Sequence, residues 1–260
     1  MRILITNDDG ITAPGLEVIE AIAADLAGPD GEVWVVAPAF EQSGVSHCIS
    51  YIRPMLLQKM GERRYAVEGS PADCMLAGLF EVLKDNPPDL ILSGVNRGHN
   101  VAEDTLYSGT IGGAIEATLH GFKAIAMSQY YSRGNAVLDD PFQAARVHGA
   151  DICRRLMADA KWHDQPYGVF YNINFPPVPA NQTKGVKATV QGQRPTGSFG
   201  VEPHVAPNGR RYLWISANPE NTSAPIGSDA REAAENWITV TPLRADLTAH
   251  DVLSDLEKLF

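Results

Sequence analysis

The stretch Arg2-Ile3-Leu4-Ile5-Thr6-Asn7-Asp8-Asp9-Gly10 decides the fold. Its apolar run reads as a buried strand, and it ends in an amide, two adjacent carboxylates and a glycine. Leu16, Ile19, Ile22, Ala23 and Leu26 then fall on one face of a helix that Gly28-Pro29 ends. Glu32-Val33-Trp34-Val35-Val36-Ala37 is a second β-rich run. The N-terminal segment is therefore a βαβ unit with parallel strands and a right-handed crossover. Adjacent ionised carboxylates repel, so the pair Asp8-Asp9 is solvated, protonated or neutralised by a cation. Which of these holds bears directly on what the protein does.

Outward from this unit, residues 47–68 alternate like short antiparallel strands, and Pro71 to Leu83 has the composition of a helix, with Pro71 suited to its first position. Asp89-Leu90-Ile91-Leu92-Ser93 is another apolar strand, followed by a polar, glycine-containing loop to Ser108. A helix over Thr110–Leu119, a strand over Lys123–Met127, a helix over Pro141–Met157 and a strand over Val169–Phe175 complete the alternation. Prolines and glycines then punctuate short polar runs until about Ser228, which suggests an inserted hairpin arm or small β subdomain. Apolar residues on such an arm, Trp214 among them, suit contact with a neighbouring subunit. The expected fold is α/β: a doubly wound, mostly parallel sheet over residues 1–180, completed by 237–260, with 181–236 as the arm.

The composition narrows the function classes. A length of 260 residues suits one large α/β domain. Hydrophobic residues at 44% against 20% charged argue against disorder. The net charge of -10, with no dense basic cluster, disfavours a nucleic-acid duplex as partner. A small phosphorylated ligand would need local positive charge from a metal or a helix end. Cys48, Cys74 and Cys153 share no CxxC spacing, so free buried thiols are expected rather than disulfides or structural zinc. The chain shows neither signal-like nor membrane-spanning stretches, and a cytoplasmic setting is expected.

In a doubly wound sheet ligands bind beyond the carboxyl ends of the strands. Three such ends carry unusual polar loops: Asn7-Asp8-Asp9-Gly10, Ala37-Pro38 through Gln42-Ser43-Gly44, and Gly94-Val95-Asn96-Arg97-Gly98-His99-Asn100. If the strands are neighbours, Asp8, Asp9, the Ser43 hydroxyl and the Asn96 amide oxygen offer a hard divalent cation such as Mg²⁺ or Mn²⁺ an all-oxygen ligand set. The competing reading is that these residues only fill βα turns and cap helices. Tyr107-Ser108-Gly109-Thr110-Ile111-Gly112-Gly113-Ala114 has the form of an anion-binding helix start, or equally of a hydroxyl cap with close-packing glycines. There is no P-loop, and no GxGxxG follows the first strand.

These segments, together with Gly69-Ser70-Pro71-Ala72-Asp73-Cys74 and the C-terminal Thr239-Val240-Thr241-Pro242-Leu243 with Asp246-Leu247-Thr248, resemble the SurE family of metal-dependent nucleoside monophosphate phosphatases. The resemblance implies a Rossmann-like core, one divalent ion held by Asp8, Asp9, Ser43 and Asn96, and a hairpin used to form a homodimer or homotetramer. Gln42 stands where arginine is frequent in the family, Ser70 where threonine is, and Gly113 where alanine is. The first of these removes a local cation.

The expected reaction is metal-assisted hydrolysis of nucleoside 5'-monophosphates, extending to 3'-monophosphates and short polyphosphate. Asp8, Asp9 and Asn96 would be catalytic, while Gly44, Asn100, Ser108, Gly109 and Thr110 would hold phosphate oxygens. His99 and His47 are candidate general acids, with supporting or surface roles as the alternative. Arg97 could neutralise phosphate or be an ordinary surface cation. Asp73 is expected to partner a nearby loop. Asp229 could approach the site or cap a helix. Tyr107, Trp214 and Phe199 could stack on a base. Two other classes stay open: a metal-dependent nucleotide or phosphate binder without turnover, and an aspartyl-phosphate phosphatase, for which adjacent aspartates are the wrong spacing.

Overall fold

The structure, a computed structural model, describes residues 1–162, 167–195, 199–217 and 221–260. Its strands are β1 (Arg2–Thr6), β2 (Glu32–Pro38), β3 (Leu57–Gly61), β4 (Arg64–Val67), β5 (Leu90–Arg97), β6 (Ala124–Gln129), β7 (Phe170–Phe175), β8 (Val186–Ala188), β9 (Phe199–Val205), β10 (Arg211–Ala217) and β11 (Ile238–Leu243). Its α-helices are α1 (Pro14–Ala27), α2 (Pro71–Ala77), α3 (Gly109–Leu119), α4 (Arg133–Ala136), α5 (Gln143–Asp159), α6 (Asp229–Ala234) and α7 (His250–Leu256). The main sheet has the order β3-β4-β2-β1-β5-β6-β7-β11-β8. From β4 through β7 all neighbours run parallel, and β3 and β11 are antiparallel additions.

The apolar runs are continuous because both faces of the parallel strands are covered. Ile3, Ile5, Leu90 and Leu92 face Leu16, Ile19 and Ile22 of α1 and Ile152 of α5. Leu4, Ile91 and Ala124 face the opposite layer, with Met75 of α2 and Ile111 and Ala114 of α3. The chain leaves β1 toward β2 on one side and later returns to place β5 on the other, in register Ile5↔Leu92 and Thr6↔Ser93. The order therefore reverses between β1 and β5, where the loops after the two strands splay apart and leave a crevice.

Local chemistry sets the helix ends. Pro14 starts α1, and Gly28 ends it at φ 75°. In α2 the Ser70 hydroxyl accepts from the Asp73 N–H while the Asp73 carboxylate accepts from Ser70 N–H, a reciprocal cap ahead of Pro71. The helix expected to reach Leu83 changes to π-helical hydrogen bonding over Gly78–Val82. Gly15 lets α1 rest directly on β5, since a Cβ there would lie 1.9 Å from the Val95 carbonyl oxygen.

Several expectations need revision. Residues 47–56 contain no strand, because the polar groups of His47, Cys48 and Ser50 bond to side chains instead of to a ladder. Ser46 N–H donates to the Tyr107 carbonyl, and Ser50 donates both N–H and hydroxyl to Asp73. The stretch 181–236 is not a single arm: β8 joins the main sheet beside β11, β9 and β10 form a separate antiparallel pair, and α6 packs back with Ala230 and Ala233 buried. Residues 196–198 and 218–220 of that stretch lie outside the described residues. Of 237–260, β11 enters the sheet, whereas α7 buries no residue. Cys74 and Cys153 are buried free thiols, but Cys48 is exposed. No described helix is long and apolar enough to cross a membrane.

Replacing Gly15 with alanine forces a methyl group into the β5 backbone. The expected cost is roughly 3 kcal/mol, seen as a fall in Tm of roughly 6–12 °C by circular dichroism.

Candidate active site

The site begins with the turn that follows β1. Asn7 is fully buried and closes it from both sides: its amide donates to the Gly10 carbonyl at 2.9 Å and its oxygen accepts from Gly10 N–H at 3.2 Å. Gly10 sits at φ 100°, a conformation that favours glycine. This explains the amide before the acids and the glycine after them. Asp8 and Asp9 are thereby held at the crevice between β1 and β5.

Neighbouring loops are tied to these two residues. Asp8 Oδ1 accepts from the Thr110 hydroxyl at 2.6 Å, and the Asp8 carbonyl accepts from Gln42 N–H at 2.7 Å. Asp9 Oδ2 accepts from Arg97 N–H at 2.9 Å. Asp9 Oδ1 accepts no hydrogen bond among the described residues, whereas the Asp8 carboxylate is also held by the backbone N–H groups of Thr110 and of Asp8 itself. Burial pushes the Asp8 carboxyl up to about 6, with the charge of Asp9 adding to the rise and the Thr110 hydroxyl opposing it. Asp9 is also raised, by burial and the nearby charge of Glu41, against the hydrogen bond from Arg97.

A cavity of about 360 Å³ is lined by Asp8, Ser43, Gly44, Asn96, Asn100 and Ser108, with Arg97, Gly98, His99, Asp104, Tyr107, Phe199 and Ala217 completing its described wall. Asp9 lies on an adjoining cavity of about 550 Å³ with Thr12, Glu41 and Phe142, and Ser43 and Arg97 border both. Ser43 donates its hydroxyl to Glu41 at 2.9 Å, and Asn96 donates its amide N–H to the Gly98 carbonyl at 3.0 Å, which leaves each with an accepting oxygen. No described group of three His, Cys, Asp or Glu could hold a metal ion. A cation here would draw on two carboxylates and two neutral oxygens, a set that fits Mg²⁺ or Mn²⁺ and offers nothing to a thiophilic ion. Two adjacent carboxylates, both raised by burial, are what such an ion would compensate.

The other candidate residues separate into wall and support. Asn100 is buried: its amide donates to Ser128 Oγ at 2.8 Å and its carbonyl accepts from Asn172 and Asn174. Ser108 caps α3, accepting from Ile111 N–H as the capping reading expects, and it also lines the cavity. Gly109 and Thr110 back Asp8 from behind, with the Thr110 hydroxyl committed to it. Tyr107 and Phe199 meet edge to face, ring centroids 5.0 Å apart, on the cavity wall, whereas Trp214 is exposed on the arm.

Neither histidine is poised to donate a proton here. His47 bonds to Glu116 on α3. His99 stacks on Tyr130 at 4.1 Å, and burial lowers it to about 4, so it is neutral at pH 7. The Arg97 guanidinium lies 4.8 Å over the Tyr131 ring. Asp73 does partner a nearby loop, through Ser50. Asp229 does neither of the things expected of it. Its carboxylate gathers the N–H groups of Ala102, Gly192 and Ala230, and Ser228 is the cap of α6.

Sequence reasoning missed the support beneath Tyr107 and Ser108. Arg194, its side chain 0% exposed, makes a fork to both Asp104 oxygens at 2.9 and 2.8 Å and donates Nε–H to Asn221 at 2.9 Å. These bonds tie both roots of the arm to the 3-10 turn Ala102–Leu106. No local pattern marks Arg194, since its partners lie far away in sequence. Glu41 was missed as well, although it is adjacent to the Gln42-Ser43-Gly44 motif.

The fold and this cleft define an α/β protein with an acidic, oxygen-lined site at the switch point of a doubly wound sheet. A model of the family described as survival protein SurE matches residues 3–198. The 5'-nucleotidase SurE of Cereibacter sphaeroides strain KD131 is 60% identical over 259 residues, covering 100% of this chain and 99% of the relative. That of Roseobacter denitrificans is 59% identical over 256 residues, 98% of each. The crystal structure of the SurE protein from Aquifex aeolicus superposes with a TM-score of 0.82 at 32% identity, over 100% of this chain and 99% of that one. The chain belongs to the SurE family.

The Asp8 shift has a sign that can be measured. Folded Asp8 holds its proton up to about pH 6, against 3.8 ordinarily, so its charge destabilises the fold above that range and the penalty fades as pH falls through it. In chelator-treated protein at pH 7, Asp8→Asn keeps the acceptor for Thr110 and removes the charge. It should stabilise by on the order of 2–3 kcal/mol. The Tm gain over wild type, about 5 °C, should shrink at pH 5.

Proposed function

We propose that this chain is a 5'-nucleotidase that hydrolyses nucleoside 5'-monophosphates to nucleoside and phosphate with one divalent cation. The observation that carries the reading is a buried carboxylate, Asp8, next to a half-buried one, Asp9, both raised by desolvation, at a cavity lined by hydroxyl, amide and backbone groups. The name that the relatives bear, 5'-nucleotidase SurE, supports it over the full length of the chain.

Asp8, Asp9, Ser43 and Asn96 would hold the ion, which when bound supplies Lewis-acid polarisation of a phosphoryl oxygen and a bound water of lowered pKa. Asp8, pinned by Thr110, is the rigid member of the pair. Asp9 is less buried and keeps an uncommitted oxygen, so it is the better placed to take a proton from water. Gly44, Asn100 and the Ser108 end of α3 hold the non-reacting phosphate oxygens, with Gly109 and Thr110 supporting Asp8 behind them. Positioning of this kind is where most phosphoryl-transfer catalysis resides. With His99 stacked on Tyr130 and lowered by burial, this reading assigns the leaving oxygen's proton to water.

Tyr107 and Phe199 form the aromatic wall against which a base would lie. A grip made mainly on phosphate discriminates weakly among leaving groups, so nucleoside 3'-monophosphates and short polyphosphates also fall within reach. One face of the β9–β10 arm is apolar and exposed, with Val201, Val205, Leu213 and Ile215 in line. That face suits contact between copies of the chain, as a homodimer or homotetramer. Three free cysteines accord with a reducing, cytoplasmic setting.

A released-phosphate assay should show turnover of nucleoside 5'-monophosphates with Mg²⁺ or Mn²⁺ and none with chelator. Asp9→Asn should lower kcat/KM by roughly 100-fold or more with an unchanged circular dichroism spectrum. Binding of nucleotide without turnover of any monophosphate would overturn the reading in favour of a binder.

A further inference from the structure

We infer that Glu116 is a positioning residue for the loop that carries Ser43 and Gly44: its carboxylate clasps His47 of that loop against helix α3. The loop crosses the starts of α2 and α3. Before Ser43 it is anchored where Gln42 N–H donates to the Asp8 carbonyl at 2.7 Å. After Gly44, Ser46 adopts φ 57° and donates its N–H to the Tyr107 carbonyl and its hydroxyl to the Leu106 carbonyl.

The next residue makes the only side-chain link from this loop into the middle of α3 among the described residues. His47 Nε2 lies 2.5 Å from Glu116 Oε2, and His120 Nε2 lies 2.9 Å from Glu116 Oε1. The Glu116 side chain is 9% exposed, so each of its oxygens is satisfied by an imidazole where little water reaches. Each histidine donates from Nε2, whether neutral or protonated. The backbone rests on the same helix: a Cβ at Gly112 would come within 2.5 Å of the Ser46 carbonyl oxygen.

Between the two anchors, Ser43 and Gly44 have no comparable tether. Among the described residues the Ser43 hydroxyl bonds only to Glu41 of the same loop, and a Cβ at Gly44 would meet nothing within 4 Å. Their placement on the cavity wall is therefore set by what holds the flanks. His120 offers an internal control. It shares the Glu116 carboxylate but belongs to α3's own end, so removing it loosens the clasp without releasing the loop.

The inference rests on the proposed hydrolysis only for its kinetic readout. It is tested with His47→Ala, His47→Gln, His120→Ala and Glu116→Gln, following Tm, kcat and KM for a nucleoside monophosphate, and the Kd of inorganic phosphate with Mn²⁺ by calorimetry. His47→Ala and Glu116→Gln should raise KM and phosphate Kd by about tenfold with kcat changed by less than about threefold. His47→Gln, whose amide N–H can replace Nε2–H, should restore both. His120→Ala should lower Tm about as much as His47→Ala and leave KM and Kd unchanged. Should Glu116→Gln fail to fold, the histidine variants carry the test. Equal effects of His47→Ala and His120→Ala on KM and Kd, or none from either, would overturn the assignment. A wild-type chain that binds phosphate and turns over no monophosphate would sink the hydrolytic reading, while the Kd pattern would still decide the role of Glu116.

Discussion

The structure depends on placing two like charges on consecutive residues at the end of a buried strand. Asp8 is withdrawn from water by the sheet behind it and α3 beside it, and Asp9 adds its field from the next position. A chain that only had to fold would gain by replacing either acid with a neutral residue, because burial raises both carboxyls. The surrounding loops are organised around keeping them. Thr110, Gln42 and Arg97 each spend a hydrogen bond on this pair, and they come from three different segments. The bonds from Thr110 and Arg97 lower the cost of the charges, and together with the bond from Gln42 to the Asp8 carbonyl they bring the helix start, the β5 loop and the β2 loop to one crevice.

That convergence was legible because it is written in local patterns. Continuous apolar runs at Ile3–Ile5, Val33–Val36 and Leu90–Leu92 mark strands covered on both faces, and a doubly wound sheet is the arrangement that covers them. Once β1 and β5 are neighbours, Asp8, Ser43 and Asn96 meet with no further assumption. The turn Asn7 to Gly10 could be read as well, since its amide and its positive-φ glycine act within a few residues. Asp73 was also read correctly as a loop partner, but the loop it holds was mistaken for strands. In residues 47–56 the polar groups of His47, Cys48 and Ser50 bond to Glu116, Ser70 and Asp73, and a short run of mixed polarity does not distinguish such bonds from a ladder.

What sequence could not supply are partners chosen by tertiary distance. Arg194 looks like any surface arginine in a glycine- and proline-rich stretch, yet its guanidinium is wholly buried. A buried guanidinium is tolerable only when its donors are met with good geometry, and here the fork to Asp104 and the bond to Asn221 meet that demand. Asp229 shows the same principle with the opposite charge, gathering three backbone N–H groups from segments that no motif connects. The β8 strand is short and exposed on its flanking residues, so its return to the main sheet depends on β11 offering an edge, not on its own composition.

These two kinds of information divide the site into halves. The half proposed to hold phosphate is made of short loops at strand ends, each carrying its own chemistry in consecutive residues, and its convergence follows from the sequence once the strand order is known. The half proposed to face the nucleoside is made of Tyr107 and Phe199, brought together by a 3-10 turn and an arm whose roots are locked by Arg194 and Asn221. Aromatic rings there carry no spacing rule, and Trp214, equally eligible by composition, ends up in solvent because it alternates onto the other face of β10. Reaction class is therefore encoded locally and leaving-group recognition non-locally, which is the physical reason that a single chain declares phosphoryl chemistry far more clearly than it declares a base.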